Sequence, residues 1–432
     1  MKGHSIGFLV VLSVFSGSVT GAAGTDWPNW RGPFSNGSSD AINLPDTLAP
    51  DQAAWSMDLP GPAGSTPVIL NGKLFLTSTE KGSDNLIGLC LDAADGSVLW
   101  QKTLTSSDER FSRNTPASPS PVVNAKVVCF LFGNGELVCL EHDGKELWRR
   151  NLVTEYGPFA YLFGYGSSPL LLDNTLYIPV LRRQTVYRGS AGDKSMTSYL
   201  LAVEIETGKT VFHQERPSDA VDETTNSYTT PVAATVNGRP QIVLFGADYI
   251  TSHDPKTGQE LMRYQYDTSK DDRSRNIPTP AIEGQRLYCA MPRGTSGAAF
   301  DLAAPDKPLL WQTEASGPDA ASPALYKGHF YMIEDRSKML VCVDMASGKV
   351  RWKGQLDKSG MYFAAVTAAD DKLYTVNETG SVTVAAADPN EFRLLSTTAF
   401  SQSPVQSTIA AAAGRLYLRT AEKLYCFKKP SH

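Results

Sequence analysis

The chain has 432 residues, 41% hydrophobic and 9% aromatic, with a formal net charge of −5. That apolar content supports a large core and excludes a mostly disordered chain. The acidic balance leaves no electrostatic footprint for nucleic acid or for an anionic membrane surface.

The first expected element is a leader. Lys2 precedes an apolar run, Ile6 to Phe15, and a stretch of small residues, Ser16 to Gly24. This order is that of a secretory signal, and the run is too short to span a bilayer comfortably. Residues 1–24 are expected to be a removed signal peptide, with an uncleaved anchor as the alternative. No cysteine stands near the cleavage point, which argues against a lipid anchor. No later stretch reaches membrane-spanning length, so the protein is expected to be extracytoplasmic, periplasmic or secreted. Residues 25–52 then form a lead-in, and residues 53–429 a single domain.

That domain is a repeat. Its clearest copy runs Ser120-Pro121-Val122-Val123, then Lys126 to Phe132, a Gly133-Asn134-Gly135 turn, Glu136 to Leu140, Asp143-Gly144, and Glu146-Leu147-Trp148. Each apolar run is short, β-rich and bounded by turn residues. The same order restarts at Pro67, Pro121, Pro169, Pro231, Pro280, Pro323, more weakly near Ala365, and at Thr408. The later copies are about forty residues long, the period of a four-stranded propeller blade. The eighth copy ends at Cys426 and Phe427 without a fourth strand, and Ala53 to Leu59, with Trp55 in the aromatic slot, supplies the missing piece. The expected fold is an all-β, eight-bladed propeller closed by an N-terminal strand on the C-terminal blade, which removes both open sheet edges. Seven blades is the alternative, if the copy around 364–400 is misread.

The pattern of Ser-Pro, Leu-Tyr, third-strand Asp and Thr-Gly-Lys before an aromatic resembles the quinoprotein (PQQ-type) propeller repeats. It also resembles the family of the non-enzymatic barrel-assembly lipoprotein of the bacterial outer membrane. Asp254 to Leu261 matches the turn-plus-strand part, and Asp26 to Pro33 resembles a leader found before many secreted proteins of this class. The resemblance covers roughly residues 26–429 and implies that each blade's Trp docks on a Gly-containing turn of its neighbour. Trp100, Trp148, Trp311 and Trp352 fill that slot. Phe212 and Met262 replace it in blades three and four, and blade seven has no clear equivalent.

For the enzymatic relatives the resemblance implies bound PQQ and Ca²⁺, oxygen ligands from carboxylate and amide side chains, and an Asp base. Many also carry a disulfide between adjacent cysteines, and no adjacent pair exists here. All six cysteines sit inside expected strands and read as small buried apolar residues. Cys129 and Cys139 flank the Gly133-Asn134-Gly135 turn. A three-residue loop puts them face to face, and a two-residue Asn-Gly turn puts them on opposite faces. The six histidines are scattered without metal-ligand spacing. No catalytic residue, metal site or cofactor is expected, with PQQ and calcium implied only if the chain is a dehydrogenase.

Long insertions fall in the loops of one propeller face: Thr105 to Ala117, Thr154 to Ser167, Arg182 to Ser198, Arg216 to Thr229 and Asp267 to Pro278. Loops on a rigid scaffold are where binding residues concentrate. Ser112-Arg113-Asn114 and Ser274-Arg275-Asn276 are near copies, and Asn226-Ser227-Tyr228 is related. Arg and Asn at blade entrances suit a carboxylate or a polar backbone, and equally serve turn geometry. Tyr156, Phe159, Tyr161, Phe163 and Tyr165 crowd one loop, as a partner or sugar surface or as the loop's own small core. The site residues expected at the channel mouth are Arg113, Asn114, Tyr165, Asn226, Tyr228, Arg275 and Asn276. The expected function is a binding or assembly scaffold for a protein or polymer partner. The alternatives are a PQQ-dependent alcohol or sugar dehydrogenase and a polysaccharide-binding module.

Overall fold

The computed structural model describes residues 24–183 and 196–430. The expected leader therefore lies outside the described residues up to position 23, as do positions 184–195 of the blade-three insertion. Eight four-stranded antiparallel sheets form the ring. Blade one is Val68–Leu70, Lys73–Thr79, Asn85–Asp92 and Val98–Ser106. The copy around 364–400 is a full blade, Thr367–Ala369, Lys372–Val376, Ser381–Ala386 and Leu394–Ala399, which removes the seven-bladed alternative. In blade eight, Trp55–Asp58 pairs with Lys423–Lys428, Trp55 opposite Cys426.

Each blade packs on two neighbours, so its inner strands are buried on both faces and read as continuous apolar runs. Asn85–Asp92 is buried at every position between its ends, whereas the outer Val98–Ser106 is mostly exposed. One side-chain layer recurs across the blades. Phe75, Cys90 and Trp100 stand in register in blade one, as do Tyr331, Cys342 and Trp352 in blade six and Tyr417, Cys426 and Trp55 in blade eight. Directly after this layer the outer pairing shifts register in blades one to seven, a bulge that turns the aromatic toward the next blade. In blade two the second-strand aromatic is replaced by Cys129, which faces Cys139 and forms a disulfide with it. The turn between them follows the three-residue count. Cys90, Cys289, Cys342 and Cys426 are free and buried. Burial pushes the thiols of Cys90, Cys342 and Cys426 up to about 12, so they are protonated and unreactive at neutral pH.

The aromatic docks on the next blade wherever that blade offers a glycine turn. Trp100 lies against Gly144, Trp148 against Gly208, Trp311 against Gly348 and Trp55 against Gly96. Phe212 takes the same seat against Gly258, so docking in blade three is regular. Met262 instead packs with Phe300 and Leu302 of blade five, whose turn, Asp301 to Pro308, contains no glycine. Blade seven has Ser396 in the slot because the adjoining blade is interrupted there by the ring closure. The lead-in fills the gap: Ser396 donates to the Asp46 carbonyl and Thr398 to that of Leu48, at 2.5 and 2.6 Å.

The lead-in also crosses the ring. Trp27 exchanges backbone hydrogen bonds with Ile69 of blade one, and Val123 of blade two donates to Pro28. Leu325 of blade six donates to Asn36, and Ala368 of blade seven to Gly37. Trp30 reaches across the channel, its indole N–H donating to Thr230 Oγ1 at 3.0 Å.

Candidate functional site

The residue before each blade-opening Pro does specific work in this ring. The backbone N–H of Thr66 donates to Ser120 Oγ at 2.9 Å, that of Ser120 to Ser168 Oγ at 3.0 Å, and that of Ser168 to Thr230 Oγ1 at 3.3 Å. The chain of bonds continues from Thr230 to Thr279, from Thr279 to Ser322, from Ala365 to Thr408, and from Thr408 back to Thr66. A belt of Ser and Thr hydroxyls thus ties each blade to the next around the axis. It is broken only at Ala365, which has no hydroxyl to receive the Ser322 amide. Beside that gap the Arg31 guanidinium donates to the Pro323 carbonyl. Arg31 is fully buried with its cation over the Trp30 ring, and burial lowers its pKa to about 9, which leaves it charged at neutral pH.

Above the belt opens a cavity of about 620 Å³. Its belt hydroxyls come from Thr66, Ser120, Ser168, Thr230, Ser322 and Thr408, and its apolar walls from Trp30, Phe163, Ile277, Met361 and Phe363. Four of the expected site residues line it: Arg113, Asn114, Tyr228 and Arg275. The near-copy loops do not place them equivalently. Arg113 is exposed, its cation over the Phe363 ring at 5.7 Å, with no carboxylate partner among the described residues. Arg275 is largely buried, donating to Glu223 at 2.7 Å and to Asp319 at 3.3 Å, and lies over Phe163.

The other three expected residues are buried behind the cavity rather than exposed in it. Tyr165 donates its hydroxyl to the Pro179 carbonyl at 2.9 Å. The Asn226 side chain accepts from the Leu162 amide and donates to Ala160, which pins the loop of blade three to that of blade four. Asn276 accepts from the Tyr266 hydroxyl at 2.7 Å. The aromatic loop is mainly its own small core: Phe159, Tyr161 and Tyr165 are buried against one another, and Tyr161 meets Tyr228 edge-on. Only Phe163 of that group lines the cavity. Sequence reasoning missed Trp30, Phe363, Asp319 and the belt. The signal for the belt was the recurring Ser or Thr before Pro.

The donor set is a poor match for calcium-bound quinone chemistry. Asp319 is the one carboxylate on the cavity wall; Arg275 meets its Oδ2 and its Oδ1 has no partner among the described residues. Among the described residues no three His, Cys, Asp or Glu side chains stand together as a metal-binding group. Calcium asks for six or more oxygens, several from free carboxylates.

Solved structures share the fold. A europium-containing methanol dehydrogenase superposes with a TM-score of 0.72 at 10% identity, covering 94% of this chain and 98% of that one. BamB from Moraxella catarrhalis gives 0.62 at 14%, covering 87% and 99%. The quinohemoprotein alcohol dehydrogenase ADHIIG from Pseudomonas putida HK5 gives 0.65 at 12%, covering 95% and 82%. No curated protein matches the chain by sequence. The family model described as outer membrane protein assembly factor BamB matches residues 49–161, 112–354 and 301–394. With most of its length matched by that model, the chain belongs to the BamB family of PQQ-like repeat propellers.

Proposed function

We propose that this protein is a non-enzymatic binding or assembly scaffold of the extracytoplasmic space, engaging a protein partner through the loop-rich face around the cavity. The observation that carries this reading is the scarcity of carboxylates at the cavity. Asp319 is the one on its wall, whereas bound calcium asks for six or more oxygens, several of them from carboxylates. The family's assembly role supports a protein partner, and the apolar leader supports export. No helix among the described residues is long and apolar enough to cross a membrane. The test is dye-linked oxidation of alcohols and sugars by the purified protein incubated with PQQ and Ca²⁺. No turnover above a protein-free control is expected. Robust turnover overturns the scaffold reading in favour of a dehydrogenase.

A further inference from the structure

The belt fixes the polarity of the cavity. A hydroxyl carries one proton to donate besides its accepting lone pairs. In Thr66, Ser120, Ser168, Thr230, Ser322 and Thr408 the oxygen accepts an amide N–H from a neighbouring blade. Thr230 accepts a second bond, from the Trp30 indole. None of these six hydroxyls donates to a protein oxygen among the described residues, so the holding of the ring uses their acceptors and leaves their protons for the channel. The charged groups on the wall point the same way. Of the two guanidiniums on the wall, Arg275 is paired with Asp319 and with Glu223 behind it, so Arg113 is the cation that no carboxylate holds among the described residues. Arg275 is neutralised locally by Glu223 and Asp319, and Arg113 is left exposed over Phe363.

From this we infer that the cavity is an anion receptor that takes a carboxylate near the channel axis, held by the belt hydroxyls and Arg113. The apolar body that carries the carboxylate rests against Trp30, Phe163 and Phe363. Two sources share this chemistry, an acidic side chain of a partner protein and a free organic acid. The first source rests on the scaffold reading, while the affinity for anions does not.

Trp30 reports on the site from within. Its fluorescence, isolated as the difference between the wild type and Trp30→Phe, is to be quenched with iodide and with caesium. Each ion is normalised to free N-acetyltryptophanamide. Iodide should quench more steeply, with Arg113 contributing roughly a two- to sixfold anion-to-cation ratio, that of one unit charge about a Debye length away with and without salt screening. Arg113→Ala should lower the ratio by that factor, leaving only the excess set by the buried Arg31 over the Trp30 ring. Equal quenching by both ions, or an iodide excess indifferent to Arg113→Ala, overturns the receptor. Should Trp30→Phe fail to fold, calorimetric titration of the wild type and Arg113→Ala replaces it, with glutarate and a capped hexaglutamate peptide as probes. Binding of either probe, weakened by Arg113→Ala, supports the receptor, and the tighter probe identifies the source. Binding of neither, or binding that Arg113→Ala leaves unchanged, overturns it. Dye-linked turnover sinks the scaffold and leaves the quenching ratio untouched, so the two readings fail separately.

Discussion

Asp248 shows how one residue sets a pH dependence. It occupies the hairpin turn between the second and third strands of blade four at φ 68°, buried, with one carboxylate oxygen unpartnered. Arg216, also fully buried, donates to the carbonyls of Gly246 and Tyr249 on either side of that turn. Burial pushes the Asp248 carboxyl up to about 6, helped by Asp267 and Asp219 and opposed by Lys270 and Arg216. Because the folded value lies above the unfolded one of about 3.9, the folded state binds the proton more tightly. Stability is therefore lost as pH rises from the unfolded value through 6, and the loss is complete above it. Asp248→Asn keeps a residue that tolerates a positive φ and removes the charge. Its melting temperature should exceed the wild type's at pH 8 and approach it at pH 4. A gain that is equal at both pH values would refute this account.

The near-copy loops show why the site was only half legible at this scale. Arg113 and Arg275 share the same local text, but Arg275 stands four residues before its belt hydroxyl, Thr279, while Ala117 to Ser120 set Arg113 further from its own. The two side chains therefore leave their loops at different heights. Spacing to the strand decides the environment, and local identity does not. The belt is a harder case. The Ser-Pro and Thr-Pro pairs were visible as repeat markers, but each bond joins different blades, such as Ser120 to Ser168 or Thr408 to Thr66, which local reading does not bring together.

At the level of elements, the turn that seats each aromatic is the recurring device. Gly258 has φ +75°, and a Cβ there would stand 2.5 Å from the Phe212 ring. Gly258→Ala combines left-handed backbone strain with a clash and should cost about 2–4 kcal/mol. Gly284 has φ +61° with nothing near its missing Cβ, so Gly284→Ala isolates the backbone part at about 1 kcal/mol. Chemical denaturation of the two variants checks the difference, and equal losses would show that docking contributes nothing. Pairing of aromatic with glycine was readable in the sequence because both recur in every regular copy. The lead-in was not readable as a part of the ring, since its residues repeat nothing. Its contribution emerges where blades seven and eight meet, in its backbone bonds to blades one, two, six and seven, and where Trp30 enters the channel.

For the whole molecule, the incomplete eighth copy was the most informative feature of the text. It indicated circular closure before any register was known, and Trp55 does stand opposite Cys426. Closure protects two sheet edges at once. Replacing Ser56 and Met57 by prolines removes the Met57 ladder donor and forces both residues out of extended geometry in the closing strand. The expected outcome is a large drop in melting temperature together with concentration-dependent association, read by light scattering. A monomeric variant of unchanged stability would show that this strand does not hold the ring.

That closing strand also governs time. Asp58 and its partner Lys423 are 365 residues apart, so the final contact joins parts of the chain made at opposite ends of synthesis. Contacts of such range are slow to form. Until the last blade emerges, the first strand has no partner and the nascent ring remains an open arc. Through that interval the Trp55–Asp58 strand has both edges open, and closure leaves it, like the outer strand of every blade, with one.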